Sequence, residues 1–316
     1  MRILITGGLG YIGGRLAKYL STLDCTIILA SRKFYSKSPV WLPEAEMVQV
    51  DWNSDNSIME AVSDVDYVVH SAGMNAKDCE SDPVAAIGFN ALCTAMLVRA
   101  VENSNVHKFI YLSTAHVYSS YLDGLITEEI CPRNLHPYAT SHRAAEDAVL
   151  WANSIGKLNG VVLRISNAIG APVDKNVNCW MLLFNDLCRQ AVENKYLCLT
   201  SSGVQKRDFI AMSSVTKVIE FFIKDKTDLT QSVFNCGSGI SLSVNDAAKI
   251  IQERFFIKYG VTLKITQPSN TMLDIPEQQN NLQYASVKMG DYQMSFNNNL
   301  IDEIDSLIDF CEYNFS

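Results

Sequence analysis

The chain opens MRILITGGLGYIGGRL, and no other stretch narrows its fold as much. An apolar run over residues 2–5 passes directly into a glycine-rich turn, and helical periodicity follows over 12–21. The turn reads as GxGxxG through Gly8, Gly10 and Gly13, and as GxxGxxG through Gly7, Gly10 and Gly13. A strand that turns through glycines into a helix leaves bare backbone N–H groups at the positive end of the helix dipole, which is a site for an anion. The first glycine allows the tight turn, the middle one lets backbone approach a pyrophosphate, and the last lets the helix pack on the strand. Gly7, Gly10 and Gly13, with Tyr11 and Ile12 at the helix start, are therefore candidate cofactor-binding residues. A glycine turn without a ligand is the alternative, and the flanking strand and helix argue against it.

Short Val/Ile/Leu-rich runs then alternate with helical periodicity. Strands are expected at 2–5, 26–30, 47–50, 67–70, 109–112 and 161–165, as continuous apolar runs of the kind buried on both faces. Helices are expected at 12–21, 56–63, 83–103 and 138–155. The alternation implies right-handed βαβ units and an α/β fold, a Rossmann-type doubly wound parallel sheet. After Asn167 the regularity breaks. Helices are expected near 180–193, from Ser243 as N-cap, and near 301–310. Residues 1–166 read as a dinucleotide-binding domain. Residues 167–316 read as mainly a smaller, interlocked substrate lobe, with some segments returning to the sheet.

Composition excludes several classes. A net charge of −8 disfavours a nucleic-acid partner, which needs a basic surface. The nine cysteines are scattered and never spaced CxxC, so neither a disulfide framework nor a metal site is expected, and a reducing, cytoplasmic setting is. The apolar start meets glycines at once, unlike a signal peptide, and no apolar run looks long enough for a bilayer, so no membrane partner is expected.

The end of the second strand should select the cofactor, since an Asp or Glu there binds the ribose 2′-hydroxyl of NAD. This chain has Ser31, Arg32 and Lys33 and no acid. Arg32 can pair with a 2′-phosphate, which favours NADP over NAD; a solvated basic loop is the other reading. Asp51 and Trp52, after the third strand, are candidates for the adenine side.

The segments TGGLGYIG, VVHSAGM, FNALCT, LSTAHVYS, PYATSHRAAE, LRISNAIGAP, KRDFIAM and FNCGSGISLSVNDAA follow in this order over nearly the whole chain. Together they resemble the extended short-chain dehydrogenase/reductase family, the NAD(P)-dependent nucleotide-sugar epimerases, dehydratases and reductases. The resemblance implies that Ser71, Ala72, Gly73 and Asn90 line the cofactor. It makes Thr114 the catalytic hydroxyl and Tyr138 the acid/base, and it places Asn167 and Arg207 near the sugar nucleotide. It also implies a homodimer formed through the helices at 83–103 and 138–155. The chemistry is coherent: hydride moves at a sugar carbon while Tyr138 takes or gives the hydroxyl proton and Thr114 holds that oxygen. The planar guanidinium of Arg207 suits two phosphate oxygens, with a surface salt bridge as the alternative.

Two positions depart from the family pattern. His142 occupies the slot of the family's lysine, which holds the nicotinamide ribose and supplies the charge that makes a phenol acidic. His116 stands where relatives place a glutamate or a cysteine, so the dehydratase Asp-Glu pair is absent. His116 is either a sugar contact or acid/base, or an ordinary polar lining. The late Arg-Pro pair of the family has Gln267-Pro268 as its counterpart. The expected activity is oxidoreduction of a nucleotide-activated sugar at C4, as a 4-epimerase or as a net dehydrogenase or reductase. The alternative is a cofactor-binding sensor or assembly protein, catalytically weak because of His142.

Overall fold

The computed structural model describes residues 1–225, 231–268, 281–290 and 299–316. The first half is built as β1 (Arg2–Thr6), α1 (Tyr11–Leu20), β2 (Thr26–Ser31), β3 (Glu46–Gln49), α2 (Asp55–Val62) and β4 (Tyr67–His70). It continues with α3 (Ala76–Ser81), α4 (Pro83–Ala86), a π-helical turn (Ile87–Leu92), α5 (Cys93–Val101), β5 (Lys108–Thr114), the short β6 (Leu125–Ile126), α6 (Pro137–Ser154) and β7 (Gly160–Ile165). The second half holds β8 (Asn167–Ile169), α7 (Leu183–Asn194), β9 (Tyr196–Cys198), β10 (Lys206–Ala211), α8 (Met212–Lys224), β11 (Val233–Cys236), β12 (Ser241–Ser243) and α9 (Val244–Tyr259). β13 (Lys264–Thr266), β14 (Gln283–Tyr284), α10 (Val287–Gly290) and α11 (Leu300–Phe315) complete it.

The main sheet has seven strands in the order β11-β7-β5-β4-β1-β2-β3, every pair parallel. Chain order reverses between β1 and β4, so a crevice opens where these two strands end. β4, β5 and β7 are buried along their whole length, which is why their sequences read as unbroken apolar runs. One face of the sheet packs on α1 and α8 through Leu16, Leu20, Val215, Val218 and Phe222. The other packs on α2, α5 and α6 through Ile58, Leu97, Val101, Val149 and Ala152. A third core joins α7, α9 and α11 through Phe184, Leu187, Ile251, Phe255, Ile304 and Ile308. Arg15 of α1 reaches this lobe: Nη2 donates to Glu303 Oε1 at 2.7 Å and Nη1 to the Ala171 carbonyl at 2.9 Å.

Three sequence expectations need correction. The helix expected over 180–193 begins at Leu183, because Leu182 is extended (φ −76°, ψ 140°); Trp180 instead donates its indole N–H to the Lys175 carbonyl and packs on Phe310 and Phe315. α8 and the edge strand β11 were not anticipated, and both belong to the main sheet layer. The 19-residue helical span Pro83–Val101 is, by length and composition, apolar enough to cross a membrane; isolated polar residues such as Asn90 and Thr94 hide this from a search for an unbroken run. Here its residues Leu97, Val98 and Val101 lie in the core beside the sheet. The helix expected from Ser243 is present, with a capping box between Ser243 and Asp246.

Candidate active site

The glycine loop lies against the exit of β4. Gly7 has φ +68°, a conformation that glycine adopts without strain, and a Cβ there would come within 2.8 Å of the Ala72 nitrogen. A Cβ on Gly13 would overlap the Gly7 carbonyl oxygen and approach Ser71 Oγ to 2.7 Å. Ser71 in turn donates to the Thr6 carbonyl at 2.6 Å. Helix α1 starts after Gly10 with no side-chain cap and no acid in its first turn. The backbone N–H groups of Tyr11, Ile12 and Gly13 are thus left for an anion, and this cradle fits the pyrophosphate of a dinucleotide. The Tyr11 side chain is committed elsewhere: its hydroxyl donates to the Gly170 carbonyl at 2.8 Å and lies 3.3 Å from Asn185 Oδ1.

Beyond β2, Arg32 is exposed with its guanidinium 5.0 Å from the centre of the Phe89 ring. Ser31 Oγ accepts from the Lys33 N–H at 3.1 Å. Asp51 is exposed beyond β3, and its carboxylate accepts from the Asn53 backbone N–H at 3.0 Å. Trp52 is buried against His70 and Phe89, so its ring is a core element. Asn90, in the π-helical turn, is a buried strut: Oδ1 accepts from the Met74 N–H at 2.7 Å and Nδ2 donates to Ser141 Oγ at 3.0 Å. It ties the segment after β4 to α6, a role that the sequence, placing it beside the cofactor, did not reveal.

The reactive groups meet where β5 ends and α6 begins. Pro137 at the first helical position and His136, whose Nδ1 accepts from the Tyr138 N–H at 3.2 Å, fix the start of α6. Burial raises the Tyr138 pKa, and the neighbouring Thr114 hydroxyl partly offsets this. One turn on, the His142 ring centre lies 4.5 Å from that of Tyr138. His142 Nδ1 is 2.7 Å from the Tyr111 hydroxyl. Its Nε2 is buried without a hydrogen-bond partner among the described residues, and a Cβ on the exposed Gly73 would lie 3.7 Å from it. Burial, and then His116, depress the His142 pKa to about 4. The sequence suggests a partly cationic imidazole; desolvation makes it neutral at pH 7.

A cleft of about 80 Å³ next to Thr114 is lined by His116, Ser166, Asn167, Gln205, Lys206 and Arg207 among others. Arg207 Nη2 donates to Gln205 Oε1 at 3.1 Å, and no carboxylate pairs with it among the described residues. Asn167, which lines the cleft, donates from Nδ2 to the Asp208 carbonyl at 2.9 Å. The His116 ring lies 6.3 Å from that of Tyr138. Burial of the ring, then the Arg207 charge, push its pKa down. Gln267 is held by Asn245. Sequence reasoning missed Gln205, Lys206 and Tyr111, none of which carries a local pattern. A larger cavity of about 540 Å³ opens at the opposite end of the strands beside Met1, Tyr67 and His107, away from the glycine loop and the tyrosine.

A buried network supports the site. Glu146 of α6 takes a bidentate pair from Arg164 of β7, with Nη2 to Oε2 at 2.7 Å, and a bond from Ser113. Arg164 Nη1 donates to the Tyr118 hydroxyl at 2.8 Å, which donates to Asn235 Oδ1 at 2.8 Å. β5, α6, β7 and β11 are thus locked together beneath Thr114 and Tyr138.

A seven-stranded parallel sheet with a glycine cradle at its switch point and a Thr–Tyr pair beside it defines a Rossmann-type enzyme of hydride and proton transfer. The chain belongs to the NAD dependent epimerase/dehydratase family, whose model matches residues 3–237. It is 26% identical over 255 residues to a putative UDP-glucose 4-epimerase of Methanocaldococcus jannaschii, covering 79% of this chain and 81% of the relative. It is 29% identical over 267 residues to the dTDP-D-glucose 4,6-dehydratase of Mus musculus, covering 78% and 71%. The crystal structure of a Bacillus cereus UDP-glucuronic acid 4-epimerase with UDP-glucuronic acid and NAD superposes with a TM-score of 0.81 at 21% identity, covering both chains completely.

Proposed function

We propose that this chain is an NADP-preferring oxidoreductase that acts at C4 of a nucleotide-activated sugar, as a 4-epimerase or as a 4-dehydrogenase or 4-keto reductase. The observation that carries this is the Thr114–Tyr138 pair, whose hydroxyls influence one another, beside an uncapped glycine cradle and a cleft whose guanidinium, Arg207, has no carboxylate partner among the described residues. The nicotinamide, when bound, accepts or returns the hydride. Tyr138 takes the proton of the sugar hydroxyl on oxidation and returns it on reduction, while Thr114 holds that oxygen. Arg207 neutralises the diphosphate with a charge-assisted, two-pronged contact, and Asn167 orients the sugar or its phosphates. His142 hydrogen-bonds the cofactor side of the site. His116 is a polar group on the sugar side; a neutral imidazole there does not reproduce the acid pair of a dehydratase, which supports C4 redox chemistry without dehydration. The absent acid after β2 and the exposed Arg32 support NADP, although the Bacillus cereus structure holds NAD.

The test is nicotinamide absorbance on adding UDP-, GDP- or dTDP-sugars, with mass analysis of any cofactor that co-purifies. A bound cofactor with no change for any sugar would favour the sensor or assembly reading. A cytoplasmic homodimer is part of the proposal: Val84 and Leu92, and Trp151 of α6, are exposed apolar residues on the helices concerned. Sedimentation as a monomer at micromolar concentration would remove the dimer.

A further inference from the structure

The lysine of the family has no tautomers; the histidine that replaces it does. We propose that Tyr111 fixes the tautomer of His142, donating its phenolic proton to Nδ1 so that the neutral ring carries its own hydrogen on Nε2 and presents an uncharged N–H donor to the cofactor groove.

Buried polar atoms need hydrogen-bond partners. Tyr111 lies in the middle of β5, 1% exposed; its ring stacks on that of His70 (centres 5.7 Å apart), and the His142 ring lies 5.9 Å away, beyond the hydroxyl. Its hydroxyl has one hydrogen-bond partner among the described residues, His142 Nδ1 at 2.7 Å. A phenol proton buried without an acceptor costs on the order of 1–3 kcal/mol, and Nδ1 can accept it only through its lone pair. The hydrogen of the neutral ring must then sit on Nε2. The reverse arrangement, Nδ1–H donating to the phenol oxygen, strands the phenol proton and leaves the Nε2 lone pair empty as well. The first arrangement leaves a single unsatisfied group, the Nε2–H, and that group is not in a dead end. It is fully buried by protein yet faces Gly73, an exposed residue of the loop that leaves β4 against the glycine cradle. A donor in this position suits a ligand oxygen with free lone pairs, such as a ribose hydroxyl or a carboxamide. Tyr111 is therefore a positioning residue that acts through His142. This role rests on reading the groove as the dinucleotide site; the tautomer itself does not.

The experiment is a long-range ¹⁵N–¹H correlation spectrum of the imidazole nitrogens in the ligand-free protein at pH 7, with His142→Gln assigning the signals. The pattern expected is that of the Nε2–H tautomer. In Tyr111→Phe it should shift to a mixture or to the Nδ1–H form. NADP and NAD affinity, followed by intrinsic fluorescence, should fall about three- to tenfold, the value of one neutral hydrogen bond. In a His142→Lys background the same Tyr111→Phe change should leave affinity unaltered, because a merely structural tyrosine would weaken both backgrounds. An imidazolium or an Nδ1–H pattern in the wild-type protein overturns the proposal, and that spectrum needs no variant at position 111. The Nε2–H pattern with equal affinity in wild type and Tyr111→Phe overturns the positioning role. The Nε2–H pattern in a protein that binds neither dinucleotide leaves the tautomer standing and removes the cofactor reading instead.

Discussion

At Tyr138 two environments pull in opposite directions: burial lifts the phenol above its ordinary pKa near 10, and the neighbouring Thr114 hydroxyl lowers it. Lift wins, and the neutral His142 adds no cation to reverse it. Oxidation needs the phenolate, so its rate should climb with pH through the neutral range, about tenfold per unit while the phenolate is scarce. Reduction uses the protonated phenol and should stay flat there. Stopped-flow rates from pH 6 to 9 check both arms, and His142→Lys should move the oxidation curve to lower pH. Tyr138→Phe should abolish turnover and leave dinucleotide affinity within about twofold, since its hydroxyl meets substrate rather than the cradle. Full activity in that variant would hand the proton to another group, with His116 first in line. At Arg32, removal of the guanidinium by Arg32→Ala should weaken NADP about tenfold or more and NAD little, because a charge-assisted contact to phosphate is worth about 1.5–3 kcal/mol. Equal losses in fluorescence titrations would place the 2′-phosphate elsewhere.

The glycine loop is the element whose geometry tolerates least. A methyl group on Gly13 runs into the Gly7 carbonyl and Ser71, both backbone-anchored, so Gly13→Ala should cost about 1–3 kcal/mol in urea unfolding and lose dinucleotide binding. Gly88, in the π-helical turn, has open space around it, and Gly88→Ala should be neutral or slightly stabilising. Elements of this first half were legible in the sequence because strands buried on both faces must be continuously apolar and glycines mark the turn between β1 and α1. The second half was less so, for local reasons. α8 follows β10 directly, with Ala211 at its N-cap and no side-chain cap to announce it. β11 is four residues long and carries Asn235, whose amide serves the buried network, so it breaks the apolar pattern. Trp180 continues the apolar periodicity of α7, yet the backbone at Leu182 is extended. Of the candidate site, Thr114, Tyr138 and the glycine cradle could be placed from motifs. The donor to Nδ1 could not, because Tyr111 sits in an apolar strand and gains its role only when α6 packs above it. Of two other cofactor candidates named from sequence, the Tyr11 hydroxyl bonds the Gly170 carbonyl and the Trp52 ring packs on His70 and Phe89.

Across the whole molecule, two imidazoles are held neutral in the interior. His70 bonds Thr6 Oγ1 at 2.6 Å and Thr94 Oγ1 at 2.9 Å, and burial, then His142, take its pKa to about 3; that of His142 is about 4. Both values lie below the unfolded value near 6.5, so between about pH 6.5 and 4 the unfolded chain binds protons that the folded one refuses. Stability should therefore fall as pH drops through this window, by roughly 1.4 kcal/mol per unit for each ring; the His142 part levels off below about pH 4 and the His70 part below about pH 3. Urea midpoints at pH 7, 6 and 5 measure the slope, and His142→Gln should remove about half of this part; equal midpoints would mean that the rings charge without unfolding. The pairing of Arg15 with Glu303 bears on a different stage of the protein's life. These partners stand 288 positions apart, joining the helix behind the glycine cradle to the last helix of the chain. On a ribosome the nucleotide-binding helix would be made long before α11, and its guanidinium would wait in water until Glu303 follows. A nascent chain stalled before α11 would carry the glycine motif without this anchor for it.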